Sequence, residues 1–119
     1  MEKKDVSAVL KLYNKKQETM KMKFKWSQED VIHFLVPKEN VVWTYVIENE
    51  VEGKVQITDF FSIHRMKQWC TSEGCKYDKM YSGFLFYHYN SVNNLKDLIS
   101  TAMHTAKDDL ECDAFTVQV

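Results

Sequence analysis

Val6, Val9, Leu10 and Tyr13 recur at i, i+3, i+4 and i+7 with lysines on the opposite side, which predicts an amphipathic helix near the start of the chain. Met20, Met22, Phe24 and Trp26 then alternate with Lys21, Lys23 and Lys25. That period of two predicts an extended segment with its apolar residues turned inward and its lysines solvated. Ser27 and Asp30 have the spacing of a capping box, and Trp26 with Val31 that of a hydrophobic staple. A second helix therefore starts there, with Val31, Ile32, Phe34 and Leu35 as its apolar face. Pro37 ends it, since proline lacks the amide that the next turn needs. His33 reads as a surface residue of this helix.

Beyond Pro37 the pattern changes to that of strands. Val41 to Ile47 is rich in β-branched and aromatic residues. The charged segment Glu48 to Lys54, with Gly53, reads as a turn. Val55 to Ile63 returns as the second arm of an antiparallel hairpin, with Val55, Ile57, Asp59, Phe61 and Ile63 on one side and Gln56, Thr58, Phe60 and Ser62 on the other. Lys67 to Lys79 is polar, contains Gly74 and reads as a surface loop, and Met80 to His88 as a long aromatic strand. Asn93 or Asn94 caps a helix with the stripe Leu95, Leu98, Ile99, Ala102 and Ala106, and Ala114 to Val119 forms a short last strand. Helix, helix, three antiparallel strands, helix and strand make an α+β domain.

Composition narrows the function classes. The chain of 119 residues is the size of one domain, and 45% hydrophobic with 13% aromatic residues is a globular make-up. Lys+Arg 16 against Asp+Glu 17 leaves a net charge of -1, which argues against a nucleic-acid binder. No apolar run approaches the ~18 residues of a membrane span, and MEKKD has no apolar stretch behind it to make a secretory signal. Three cysteines read as reduced thiols. Cys70 and Cys75 are spaced slightly wide for a zinc pair, and neither His64 nor Cys112 completes a four-ligand set, so no metal is expected.

Pro37-Lys38-Glu39-Asn40, Val46-Ile47-Glu48-Asn49 and Ile57-Thr58-Asp59-Phe60-Phe61-Ser62 follow one another in order, flanked by Met1-Glu2-Lys3-Lys4-Asp5-Val6 and Asp113-Ala114-Phe115. As a set these runs resemble the C-terminal lobe of eukaryotic N-myristoyltransferases. The resemblance implies that residues 1–119 form a single partial GNAT-type (acyl-CoA N-acyltransferase) domain, an antiparallel-rich sheet with helices packed on it. It also implies part of a glycylpeptide N-tetradecanoyltransferase, a cytoplasmic enzyme that moves myristate from myristoyl-CoA to the N-terminal glycine of proteins.

In that family the acyl-CoA site belongs to the N-terminal lobe, and this lobe helps to hold the peptide. No cofactor is therefore expected on this chain, myristoyl-CoA being the co-substrate of the full-length enzyme. The loop Tyr87 to Asn94 agrees: it has neither glycine nor arginine for a phosphate cradle at a helix start. The family's groove is lined by aromatics from strands like Phe60 to His64 and Phe84 to Tyr87. Candidate substrate-binding residues are His64 and Phe84, where the family has tyrosines, Gln68, near its serine, and Thr116, at its asparagine. Read as ordinary sheet residues instead, His64 would be exposed and Phe84 would lie in the core.

Both short family signatures are absent, and Val119 falls at an internal strand position, so its carboxylate is not the family's catalytic base. No catalytic residue is assigned, and the chain alone is expected to be inactive. Expected partners are glycine-ended peptides, the N-terminal acyl-CoA-binding lobe, and a second copy through the apolar row Phe115, Val117 and Val119 of the last strand. The alternative function is a non-catalytic GNAT-like binding or interaction module.

Overall fold

The computed structural model describes residues 1–118; Val119, expected at the end of the last strand, lies outside the described residues. Strands β1 (Val42–Val51), β2 (Lys54–Trp69), β3 (Lys79–Tyr89) and β4 (Ala114–Val117) form one sheet in sequence order. The pairings are antiparallel except for the parallel β3–β4 pair. Helix α3 (Leu95–Asp108) covers one face, while α1 (Val6–Gln17) and α2 (Gln28–Leu35) cover part of the other. The result is an α+β fold of the GNAT-like kind, and the predicted element order stands.

Helices α2 and α3 start where their caps lie. The Ser27 hydroxyl accepts from the Asp30 amide at 3.2 Å while the Ser27 amide donates to the Asp30 carboxylate at 2.8 Å. Asn94 caps α3 through the Lys96 amide at 2.9 Å. Under α3 the core is Phe61, Ile63 and Leu85 against Leu98, Ala102, Ala106 and Leu110. Under α1 and α2 it is Phe60 against Val6, Val9, Tyr13, Val31 and Leu35. Phe60 and Phe61, adjacent in sequence, thus serve two cores, as a sheet covered on both faces requires.

Several expectations are corrected. Met20 to Trp26 is no inward-facing extended strand: Met22 and Phe24 are 86% and 73% exposed, and only Trp26 tucks in. The segment has no neighbouring strand to hold it against the core. In α2, Ile32 and Phe34 are each 41% exposed, because eight residues present only the Val31–Leu35 stripe to the sheet. The predicted charged turn shrinks to Glu52–Gly53, with φ of 52° and 77°, the left-handed pair a two-residue hairpin turn uses. The polar run from Lys67 belongs to β2 as far as Trp69, since its ladder with β3 continues to Trp69↔Lys79 with no core beneath.

Alternation along β2 also fails at one point. Ile47 pairs with Asp59 but Glu48 with Ile57, leaving Thr58 bulged. The bulge puts Val55 and Ile57 on the face opposite Asp59, Phe61 and Ile63. Cys70 and Cys75, expected as reduced thiols, form a disulfide with Cα atoms 6.5 Å apart, because the Trp69↔Lys79 pair closes the loop between them. The last strand is confined to Ala114–Val117 among the described residues. β4 is the edge strand on its side of the sheet, but its Phe115 and Val117 are half-buried against the α3 core.

Candidate functional site

Pairing across the sheet brings three of the four candidate residues into one row. His64 on β2 lies opposite Phe84 on β3, and Phe84 opposite Thr116 on β4. Directly paired residues share a face, so the three point to the side of α1 and α2, beyond the cover those helices provide. Gln68 shares that face but lies four residues along β2, about 13 Å away at strand rise. There it accepts a hydrogen bond from the Ser82 hydroxyl at 2.8 Å. It lines a different cleft, one of about 800 Å³ around the hairpin tip with Trp69, Tyr77 and Met80. That cleft is larger, but all its lining residues are exposed and nothing packs beneath the tip.

Both sheet-residue readings are corrected: His64 and Phe84 are each half-buried, neither exposed nor in the core. A second bulge explains why. Ser62 pairs with Tyr87 and Ile63 with Leu85, so Phe86 has no partner on β2 and turns out of the ladder. Its ring stacks on Phe84 at 5.6 Å and meets His64 edge-on at 5.3 Å. Phe86, Tyr87 and His64 then floor a cleft of about 500 Å³ whose walls are His33 and Phe34 of α2 and Lys38, Val41 and Val42. Tyr87 continues the aromatic series to Trp26 at 4.9 Å, and Trp26 stacks on Tyr13 at 4.0 Å. Phe84 lies behind Phe86 rather than at the cleft wall, and Thr116 is exposed at the end of the row.

Phe34 and Lys38 line the cleft although nothing in the sequence marks them for it, while Phe86 lies in the Phe84 to Tyr87 strand that the resemblance gives to the groove. The sequence puts Phe34, one position before the end of α2, on the helix's apolar face, and only the structure leaves its ring open to the cleft. The bulge that turns Phe86 outward leaves no mark in hydropathy.

The polar chemistry of the cleft is sparse. Burial pushes the His64 imidazole below its ordinary value, so it is neutral at pH 7. Its Nδ1 is buried and has no hydrogen-bond partner among the described residues. An orphaned ring nitrogen in a cleft is a place where a ligand can donate or accept a hydrogen bond. Lys38 donates to the His33 carbonyl at 2.6 Å, tying the Pro37–Asn40 turn to the end of α2. The same turn is held from the other side by Arg65, which donates to Asn40 Oδ1 and to the Leu110 carbonyl, each at 2.7 Å. The Arg65 guanidinium lies between the rings of Trp43 and Tyr81, 5.0 Å and 4.6 Å from their centres. No group of three or more His, Cys, Asp or Glu among the described residues is placed to hold a metal ion. No helix among them is long and apolar enough to cross a membrane.

Residues 1–118 match the family described as myristoyl-CoA:protein N-myristoyltransferase, C-terminal domain. The chain is similar to the glycylpeptide N-tetradecanoyltransferase of Plasmodium falciparum, with 31% identity over 107 residues that take in 90% of this chain and 25% of the relative. Against the Schizosaccharomyces pombe enzyme of the same name the identity is 35% over 105 residues, 84% of this chain and 22% of the relative. The chain thus spans about a quarter of the length of these curated relatives. Among solved structures it is similar to Saccharomyces cerevisiae N-myristoyltransferase with bound myristoyl-CoA, at a TM-score of 0.79 and 23% identity over 98% of this chain and 30% of that one. A Bacillus halodurans protein, the BH1408 tetramutant, aligns at a TM-score of 0.72 and 11% identity over 100% of this chain and 80% of that one. At these identities the structural likenesses speak for the fold alone.

Proposed function

The chain belongs to the C-terminal domain family of the N-myristoyltransferases, and from that premise we propose that it is the peptide-recognition lobe of a glycylpeptide N-tetradecanoyltransferase. The whole enzyme would transfer myristate from myristoyl-CoA to the N-terminal glycine of protein substrates, with the acyl-CoA held by another lobe. The observation that carries the reading is the row His64–Phe84–Thr116, open on the face that α1 and α2 leave uncovered and continuous with the aromatic cleft. An extended peptide laid along such a surface would bury apolar area against Phe86, Phe34 and Tyr87. It would also meet the unpartnered His64 nitrogen as a point of specificity.

The test titrates the isotope-labelled chain with a glycine-initiated peptide and with the same residues scrambled. Resonances of His64, Phe84, Phe86 and Thr116 are expected to move with the first peptide and not with the second. Phe84→Ala removes the ring that backs Phe86 and should weaken binding about tenfold, about 1.4 kcal/mol. Shifts elsewhere on the surface, or equal binding of the scrambled peptide, would refute the groove. Incubated alone with labelled myristoyl-CoA and the peptide, the chain is expected to give no transfer above background. Turnover by the chain alone would overturn the division of labour between lobes. The runner-up reading is a non-catalytic GNAT-like binding or interaction module on the same scaffold. Reading the codons on either side of this sequence for a second lobe separates the two.

A further inference from the structure

Asp59 is fully buried and aimed at the loop between β3 and α3. Its Oδ1 accepts from the amides of Ser91 and Val92 at 3.4 Å and 3.3 Å, and its Oδ2 from the amide of Asn93 at 3.0 Å. Three consecutive amides thus converge on one carboxylate. The first turn of α3 is capped separately by Asn94, so Asp59 is not the helix cap. It lies on the face where α3 packs by alternation with Phe61 and Ile63, in register with Ile47, and the Thr58 bulge turns only Val55 and Ile57 away from that face. Burial pushes the carboxyl up, but the hydrogen bonds it accepts, those from the Val92 and Asn93 amides among them, outweigh it and hold the group below the usual carboxylate range. The bound species is therefore the anion.

Consecutive backbone amides at a strand–loop–helix junction are the arrangement that elsewhere receives phosphate from outside. We propose that Asp59 is a built-in anion: it occupies the amide pocket of Ser91, Val92 and Asn93 in place of an external phosphate, and so closes this junction to phosphate-bearing ligands. The inference is independent of the peptide groove, which lies on the opposite face of the sheet. It makes Asp59 a specificity-determining residue whose effect is exclusion. Removing the carboxylate leaves three inward-pointing donors unsatisfied in a buried pocket, and a small anion is the natural replacement.

Two substitutions test this, Asp59→Ala and Asp59→Ser, the second keeping a small polar filler that favours folding. The full chain is titrated with inorganic phosphate, with chloride at matched ionic strength as control. Melting temperature and the amide resonances of Ser91, Val92 and Asn93 are the readouts. Both variants should melt below the wild type in chloride. Phosphate should restore part of the loss in a saturable way, with half-saturation in the millimolar range and shifts centred on those three amides. The wild type should respond to neither salt beyond ionic strength. If Asp59→Ala is unfolded in chloride, phosphate-dependent folding is the expected result. Variants that gain no more from phosphate than from chloride, folded or not, overturn the inference. So does a wild type whose three amides shift as much as the variants'.

Discussion

The face of the sheet under α3 and the face under α1 and α2 are made from the same strands, yet they differ in chemistry and in closure. Under α3 the core is Phe61, Ile63 and Leu85 against Leu98, Ala102 and Ala106, with the buried Asp59 carboxylate at its edge, and the small alanines let the helix sit close. On the other face Phe60 is joined by buried polar residues: the Thr44 hydroxyl donates to the Ser62 hydroxyl at 3.0 Å. Beyond that pair the helices run out and the row from His64 to Thr116 remains open. Gly83 shows the closeness of the first face directly. A Cβ there would stand 3.0 Å from the Cys112 sulfur and 3.3 Å from the Phe115 ring, so glycine is what lets β4 pack on β3. The comparison separates a face built for stability from one that keeps surface available for binding.

The strongest way to break the comparison is to truncate one phenylalanine on each face. Phe61→Ala should cost about 3–5 kcal/mol of unfolding free energy, because it empties a site sealed by α3. Phe84→Ala, at a half-buried position, should cost about 1 kcal/mol while weakening the peptide as above. Urea unfolding of both measures it. Equal losses would mean that the open face contributes to the fold as much as the closed one.

A finer probe is the buried hydroxyl pair. Thr44→Val should cost about 1–2 kcal/mol, since it leaves the Ser62 hydroxyl unsatisfied among apolar neighbours. Adding Ser62→Ala should recover much of that, as removing both partners leaves no orphan. A double variant as unstable as the sum of the single ones would show that the hydroxyls act apart.

An effect absent at neutral pH concerns the two half-buried histidines, one per face. Burial, with the Lys16 ammonium adding to it, pushes His88 down from 6.5 to about 4. On the other face burial alone lowers His64. The unfolded chain takes up these protons near 6.5 and the folded chain only lower, so stability is full above that pH and falls as pH drops toward about 4. His88→Gln should flatten the fall in the urea midpoint between about pH 6.5 and about pH 4 more than His64→Gln does. Parallel curves for wild type and both variants would show that neither imidazole carries the linkage.

The elements of this protein were legible because each is announced locally. Caps at Ser27 and Asn94, the stop at Pro37 and the stripes of α1 and α3 depend on neighbours within one or two turns, so the linear order carries them. The short runs around Asn40, Asn49 and Asp59 were enough for the family. Tertiary structure alone decided the rest. The bulges at Thr58 and Phe86 shift which side of the sheet a residue faces, and their cause is the register with β1 and β2, not the residues' own hydropathy. They turn Val55 and Ile57 away from the α3 face and turn Phe86 into the cleft. The row His64–Phe84–Thr116 exists only across three strands, and Gln68 falls outside its cleft because distance along β2 outweighs sharing a face. Local chemistry determined which segments form helices and strands, and long-range pairing determined which side chains meet.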